Sequence, residues 1–204
     1  MRINKKKFIY LISPNKIYPE FYHDLNQILR TGKVALFQLR LKKYSLKQKI
    51  VIGKKIQQIC KKNNIKFIVN DDPILSKTLN ADGCHLGQKD MDIKNARKII
   101  GKKIIGVTCH NSIKLAKAAI KENADYIAFG AFFSTTTKKV KFKADIKILN
   151  KIKKLTKIPI VAIGGINFDN YKKLLLNNAN LLAISSYVWN NKKYKPLETI
   201  EKLK

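Results

Sequence analysis

The sequence predicts an α/β chain closed into a (β/α)8 TIM barrel, one compact domain over residues 1–204. Three observations predict it. Eight short apolar runs each precede a longer stretch of helical periodicity. No Pro/Gly/Ser linker or break in composition divides the chain. The first run leads into Ser13-Pro14-Asn15-Lys16, whereas the alternative, an open doubly wound sheet, wants a glycine-rich turn there. A chain of 204 residues, 45% hydrophobic, can bury a real core but is short for a barrel, so its loops must be tight.

The elements follow in order. A charged lead-in, Met1-Arg2-Ile3-Asn4-Lys5-Lys6-Lys7, precedes the first strand at 8–13. Its apolar stretch is too short for a signal peptide, and Pro14 ends it without a small-residue cleavage site. A helix is expected near 18–30, then a strand at 34–40 and a helix near 45–62 that Ser45 caps. The third pair is 66–70 and 73–79. The fourth is 83–86 and 92–100, with Asp92 as cap. Next come 103–109 with 111–122, and 126–130 with 143–156. The lysine-rich stretch 138–147 is the expected mobile loop. The last pairs are 158–163 with 167–177, capped by Asn167, and 181–186 with 191–202.

A formal net charge of +30 invites a nucleic-acid reading. The residue types argue against it. Arginine, whose fork reads guanine, occurs only at Arg2, Arg30, Arg40 and Arg97; every other cation is lysine. Lysine travels with isoleucine and asparagine throughout, which marks a chain-wide bias rather than a patch. No zinc-finger spacing, basic zipper or RNA-recognition motif is present. The expectation is therefore no nucleic-acid partner and no membrane span, since no apolar run reaches about 18 residues. Cys60, Cys84 and Cys109 cannot all pair and read as small core residues of a protein in a reducing, cytoplasmic setting.

In such a barrel the active site lies at the C-terminal ends of the strands. Polar residues gather just past the expected strands: Gln38, Arg40 and Lys42; Asn70, Asp71 and Asp72; His85, Gln88 and Asp90; Thr108 and His110; Thr135, Thr136, Thr137 and Lys138; Gly164 and Gly165; Ser185 and Ser186. Two acids beside cations, Asp71 and Asp90, suit a hard divalent ion that bridges to phosphate. The same residues also suit plainer roles, Asp71 or Asp72 as the cap before Pro73 and Asp90 as a surface partner of Lys89. Arg40, Lys42 and Lys138 could hold a diphosphate. Gly164-Gly165 lets backbone N–H groups approach a second anion. His85, inside Cys84-His85-Leu86, reads as a satisfied structural histidine, and His110 lies nearer the mouth. Spacing supports neither a Cys–His nucleophile nor a zinc set.

These strings together resemble the thiamine-phosphate synthase family. They are Gln38-Leu39-Arg40-Leu41-Lys42, Asn70-Asp71-Asp72, Ala81-Asp82-Gly83-Cys84-His85-Leu86-Gly87-Gln88-Lys89-Asp90 and Ile105-Gly106-Val107-Thr108-Cys109-His110. Further on come Ala124-Asp125-Tyr126-Ile127-Ala128-Phe129-Gly130, Thr135-Thr136-Thr137-Lys138 and Pro159-Ile160-Val161-Ala162-Ile163-Gly164-Gly165-Ile166. The resemblance runs over nearly the whole chain. It implies a transferase that condenses 4-amino-2-methyl-5-(diphosphooxymethyl)pyrimidine with thiazole phosphate, releasing diphosphate. It implies Mg2+ on Asp71 and Asp90, and diphosphate held by Arg40, Lys42, Asn70 and Lys138. By the same resemblance Thr108 faces the pyrimidine and Gln38 binds substrate, with Arg40, Lys42, Thr108 and Lys138 as the catalytic set. Thiazole phosphate falls to Thr135, Thr137, Gly165, Ser185 and Ser186. Thr108 stands where serine is usual, Leu41 where an acid is usual, and Ala131-Phe132-Phe133-Ser134 lacks the family's prolines. A TenI-like thiazole tautomerase on the same barrel is the close alternative; retention of both acids with Lys42 and Lys138 favours the synthase. A lysine-rich nucleic-acid binder is the distant one, and it predicts salt-sensitive binding.

Overall fold

Period-two alternation in the strands decides the architecture, because it gives each strand one face for helices and one for the inside of a barrel. The computed structural model describes residues 6–134 and 142–204. Its strands are β1 Ile9–Ile12, β2 Val34–Leu39, β3 Lys66–Asn70, β4 Gly83–Leu86, β5 Ile104–His110, β6 Tyr126–Gly130, β7 Ile160–Ile163 and β8 Leu181–Ile184. They pair in parallel in sequence order, and β8 returns to β1 to close the barrel. The expected fold class is the observed one.

Outward-facing residues such as Ile9, Leu11, Phe37, Phe67 and Val69 pack against the helices in one large core. Inward-facing Tyr10, Leu36, Ile68, Tyr126, Val161 and Leu181 form a second cluster within the barrel. Gly106 makes room for it: a Cβ there would lie 1.8 Å from the Tyr126 ring. Cys60, Cys84 and Cys109 are buried free thiols, as read from the sequence. Among the described residues no helix is long and apolar enough to cross a membrane.

The helices are α1 Phe21–Arg30, α2 Leu46–Lys62, α3 Pro73–Thr78, α4 Ile93–Ile100, α5 Ile113–Lys121, α6 Lys147–Lys153, α7 Tyr171–Leu176, α8 Ser186–Trp189 and α9 Pro196–Lys202. Local chemistry starts them. Ser45 and Gln48 form a reciprocal capping box on α2. Asp72 caps α3, Asp92 caps α4, and Ser112 caps α5.

Three expectations are corrected. Asn167 does not cap α7: its Oδ1 accepts from Asp169 N while Asn170 Oδ1 accepts from Asn167 N, a turn that delays the helix to Tyr171. The eighth strand ends at Ile184, because Val188 N and Trp189 N both donate to Ser185 O and draw Ser186 into α8. The last helix starts only at Pro196, whose missing N–H and fixed φ suit a first turn. The one-turn α8 is pinned to the end of the neighbouring strand β1 by Trp189 Nε1 donating to Ile12 O at 2.6 Å.

Candidate active site

Since all eight strands are parallel, their C-terminal ends share one rim, and the polar strand ends meet there. Thr135, Thr136, Thr137 and Lys138, with much of the stretch expected to be a mobile loop, lie outside the described residues.

Asp71 follows β3 in a left-handed conformation, φ 65°, which few non-glycine residues adopt. Its N–H donates to His85 O at 2.7 Å, tying the β3 end to β4. The turn places Asp71 and leaves capping to Asp72, whose Oδ1 accepts from Leu75 N. Asp90 is held by Gly87 N, which donates to its Oδ2 at 2.8 Å; no partnership with Lys89 forms. Asp71 lies near enough to Asp90 to bear on its titration. Asp90 titrates above the usual carboxyl range. Burial is the main cause; Asp71 adds a hydrogen bond and repulsion, while the Gly87 N–H and Lys42 pull the other way. Two acids so close call for a proton or a cation between them. Their donors are oxygen only, as a hard ion such as Mg2+ prefers, and one or two carboxylates suffice when a substrate supplies further oxygens. The pair fits that ion. Among the described residues no cluster of three or more His, Cys, Asp or Glu could hold a metal without such help.

Cations flank the acids. Lys42 Nζ lies 3.3 Å from Asp71 Oδ2. Arg40 is anchored at both ends: its N donates to Ser13 Oγ at 2.9 Å, and Nη1 to Asn15 Oδ1 at 3.3 Å. Burial lowers the Arg40 guanidinium pKa, and the charge of Asp71 opposes that shift. Asn70, Asp71, Asp72, Lys42 and Lys49 line a cavity of about 210 Å³ with Leu39, Leu41 and Leu75. Leu41, where an acid was usual, thus packs under the site.

Below the rim the barrel interior is polar along one line. Gln38 Nε2 donates to Tyr10 Oη at 2.7 Å, and Tyr10 Oη meets Tyr126 Oη at 2.8 Å. Tyr126 Oη lies 2.9 Å from His85 Nδ1, and His85 Nε2 lies 2.8 Å from Thr108 Oγ1. Burial drives the His85 pKa down to about 4, so the ring is neutral at pH 7. His85 is thus the satisfied histidine expected, and it touches Thr108. Tyr10 and Tyr126 were not singled out in the sequence; a tyrosine at an inward position of a barrel strand was the available signal. His110 ends β5 and stacks on Phe142, 4.4 Å between ring centroids.

Opposite, Gly164 and Gly165 end β7 with φ 103° and 62°. A Cβ on Gly165 would come within 2.2 Å of Ser134 O, so only glycine fits. Ser185, one strand on, donates to Ser13 O at 3.2 Å, and Ser186 opens α8. The structure therefore gathers Arg40, Lys42, Asn70, Asp71 and Asp90 on one side of the rim. Gly165, Ser185 and Ser186 stand on the side of β7 and β8, and Gln38 and Thr108 stand at the two ends of the buried polar line.

Comparison with known proteins now decides the family. The family model described as thiamine monophosphate synthase matches residues 9–188. The chain belongs to the thiamine monophosphate synthase family. Family membership makes it a transferase enzyme. The thiamine-phosphate synthase of Pelagibacter ubique (strain HTCC1062) is 65% identical over the full length of both chains. That of Rhodospirillum centenum is 40% identical over 90% of this chain and 89% of its own. Among solved structures, a thiamine phosphate pyrophosphorylase from Pyrococcus furiosus superposes with a TM-score of 0.84 at 31% identity, covering 98% of this chain and 94% of that one. The Pyrococcus furiosus protein shares the barrel of this chain.

Proposed function

We propose that this protein condenses 4-amino-2-methyl-5-(diphosphooxymethyl)pyrimidine with thiazole phosphate to give thiamine phosphate and diphosphate, with Mg2+ held by Asp71 and Asp90. The observation that carries the reading is the placement of both acids at one barrel rim, Asp71 Oδ2 3.3 Å from Lys42 Nζ and Asp90 held by Gly87 N at the end of the next strand. When bound, the Mg2+ ion supplies positive charge to the diphosphate oxygens.

The reaction needs no protein nucleophile. The methylene C–O bond of the pyrimidine breaks and its electron pair leaves with diphosphate. The thiazole nitrogen then gives its lone pair to the resulting methylene cation, forming the C–N bond. Arg40 and Lys42 face the leaving group, Arg40 as a fork and Lys42 as a point charge, and stabilise the negative charge that grows there. Asn70, at the end of β3, lines one cavity with Lys42 and Asp71. Gln38 and Thr108 orient the pyrimidine ring. Gly165, Ser185 and Ser186 receive the thiazole phosphate at the strand ends where this fold commonly cradles phosphate. Thr135 and Thr137 at the thiazole phosphate and Lys138 at the diphosphate complete the set by resemblance. Holding both reactants in line supplies much of the rate. Three buried free thiols suit a cytoplasmic enzyme.

The test is direct. Incubation of the protein with both precursors and Mg2+ should yield thiamine phosphate and one equivalent of diphosphate, and EDTA should stop it. Absence of product with both precursors and Mg2+ present overturns the reading; product formation undiminished by EDTA overturns the metal.

A further inference from the structure

We propose that Tyr126, acting with Tyr10 and His85, is a positioning residue that fixes the Thr108 hydroxyl as a hydrogen-bond donor to the pyrimidine substrate. The substrate half of this rests on the function proposed above; the polarity of the hydrogen-bond chain does not.

The chain of contacts runs Gln38, Tyr10, Tyr126, His85, Thr108, each step between 2.7 and 2.9 Å. Tyr10, Tyr126, Gln38 and His85 are all buried, and Thr108 is the half-buried end that reaches the mouth. Two orientations of the protons compete. Gln38 Nε2 carries only hydrogens, so at Tyr10 it must donate. In the first orientation Tyr10 then donates to Tyr126, and Tyr126 donates to His85 Nδ1. A neutral imidazole has one N–H, which then sits on Nε2 and donates to Thr108 Oγ1. The Thr108 proton is left over and points to whatever fills the mouth.

In the reverse orientation Thr108 donates inward to Nε2, and the Nδ1–H and Tyr126 donate in turn. Tyr10 Oη then accepts from both Gln38 and Tyr126. Among the described residues it has only these two partners, so its own proton stays unmatched in the barrel interior. A buried donor without an acceptor is costly, whereas the first orientation leaves none. Gln88 Nε2 donates to Thr108 O and holds the backbone of the terminal residue. The mouth thus presents a fixed donor, matched to an acceptor such as a pyrimidine ring nitrogen or a diphosphate oxygen, and mismatched to a donor group.

Nitrogen-15 NMR of the full chain labelled at histidine, assigned with His85→Gln, reads the polarity without any substrate. His85 should be protonated on Nε2 and accept on Nδ1, and Tyr126→Phe should erase that preference. A wild-type His85 protonated on Nδ1 overturns the proposal. Kinetics read the consequence. Tyr126→Phe should raise KM for the pyrimidine diphosphate about tenfold and leave KM for thiazole phosphate within about twofold. In a Thr108→Val background it should add less than about twofold, because the hydroxyl it orients is gone. Equal losses in both backgrounds, or a loss shared by both substrates, overturn the positioning role. Should Tyr126→Phe fail to fold, Tyr10→Phe serves instead: it leaves the Tyr126 hydroxyl only His85 Nδ1 to donate to, so His85 should stay protonated on Nε2, and a switch to Nδ1 overturns the proposal. Wild type with the expected tautomer but no thiamine phosphate would sink the proposed reaction, and the substrate assigned to Thr108 with it, while the polarity stood.

Discussion

Lys42 Nζ stands 3.3 Å from Asp71 Oδ2 at the barrel rim, a contact between two partly exposed side chains. Such a pair contributes at most about 1 kcal/mol to stability. Lys42 can therefore leave Asp71 for a diphosphate oxygen at little cost. Lys42→Met should keep Tm within about 2–3 °C but raise KM for the pyrimidine diphosphate about tenfold or more, one charge-assisted hydrogen bond being lost. A thermal melt and steady-state kinetics check both halves; an unchanged KM removes Lys42 from the diphosphate site.

Asp71 stands beside Asp90 and adds to the rise in the Asp90 pKa, so neutralising Asp71 should relieve Asp90. Asparagine is the right substitute at 71, because it tolerates the left-handed φ of 65° that alanine does not. Asp71→Asn and Asp90→Asn should each weaken Mg2+ binding, followed by calorimetry. Each should also cut Mg2+-dependent turnover by about 10²-fold or more while far-UV circular dichroism stays native. Turnover at the wild-type Mg2+ requirement in both variants would reject the metal assignment.

Much of this was legible in the sequence for a physical reason. A parallel barrel repeats one instruction, a short apolar run followed by a capped amphipathic stretch, and the runs at β2, β3 and β4 with the caps Ser45 and Asp92 obey it. The rim residues Arg40 and Asp71 were legible because each directly follows such a run, and Asp90 because it lies four residues past the end of β4. What was hidden depends on partners distant in sequence. Tyr10 and Tyr126 are 116 residues apart, and nothing local shows that their hydroxyls meet. Ser186 looked like strand until the backbone bonds to Ser185 drew it into α8. Asn167 has the chemistry of a cap, yet it spends its side chain on Asp169 N.

Gly101 and Gly165 share a φ of 62°, and Gly101 has ψ −132°, so an alanine is strained by the backbone at either site, by about 1–3 kcal/mol. Their surroundings differ. A Cβ at Gly101 meets nothing within 4 Å, while at Gly165 it would approach Ser134 O to 2.2 Å. Gly101→Ala should lose only that strain and keep full activity. Gly165→Ala should lose a further 1–3 kcal/mol or so from overpacking and raise KM for thiazole phosphate, because the β7 turn must shift. Urea denaturation of the two variants beside their kinetics makes the comparison; equal losses would remove the steric argument.

His85 gives stability a pH dependence whose sign can be worked out. Burial among Tyr126, Thr108 and the β3 end holds its pKa near 4, against the usual 6.5 of an exposed ring; Asp90 is the charged group that opposes the shift. Between those values the unfolded chain binds a proton that the folded chain refuses, so folding stability rises with pH across the window and falls as pH drops from about 6.5 toward 4. The full effect is on the order of 3 kcal/mol. Tm should therefore decline steadily from pH 7 to pH 4.5, beyond what the exposed carboxyls contribute. In His85→Asn, less stable at pH 7, the decline should be markedly shallower, since asparagine has no proton to gain. Calorimetric melts of both proteins across that range decide it, and parallel slopes would show that His85 takes up its proton as readily in the fold as in the unfolded chain, so that burial does not keep the ring neutral below about pH 6.5.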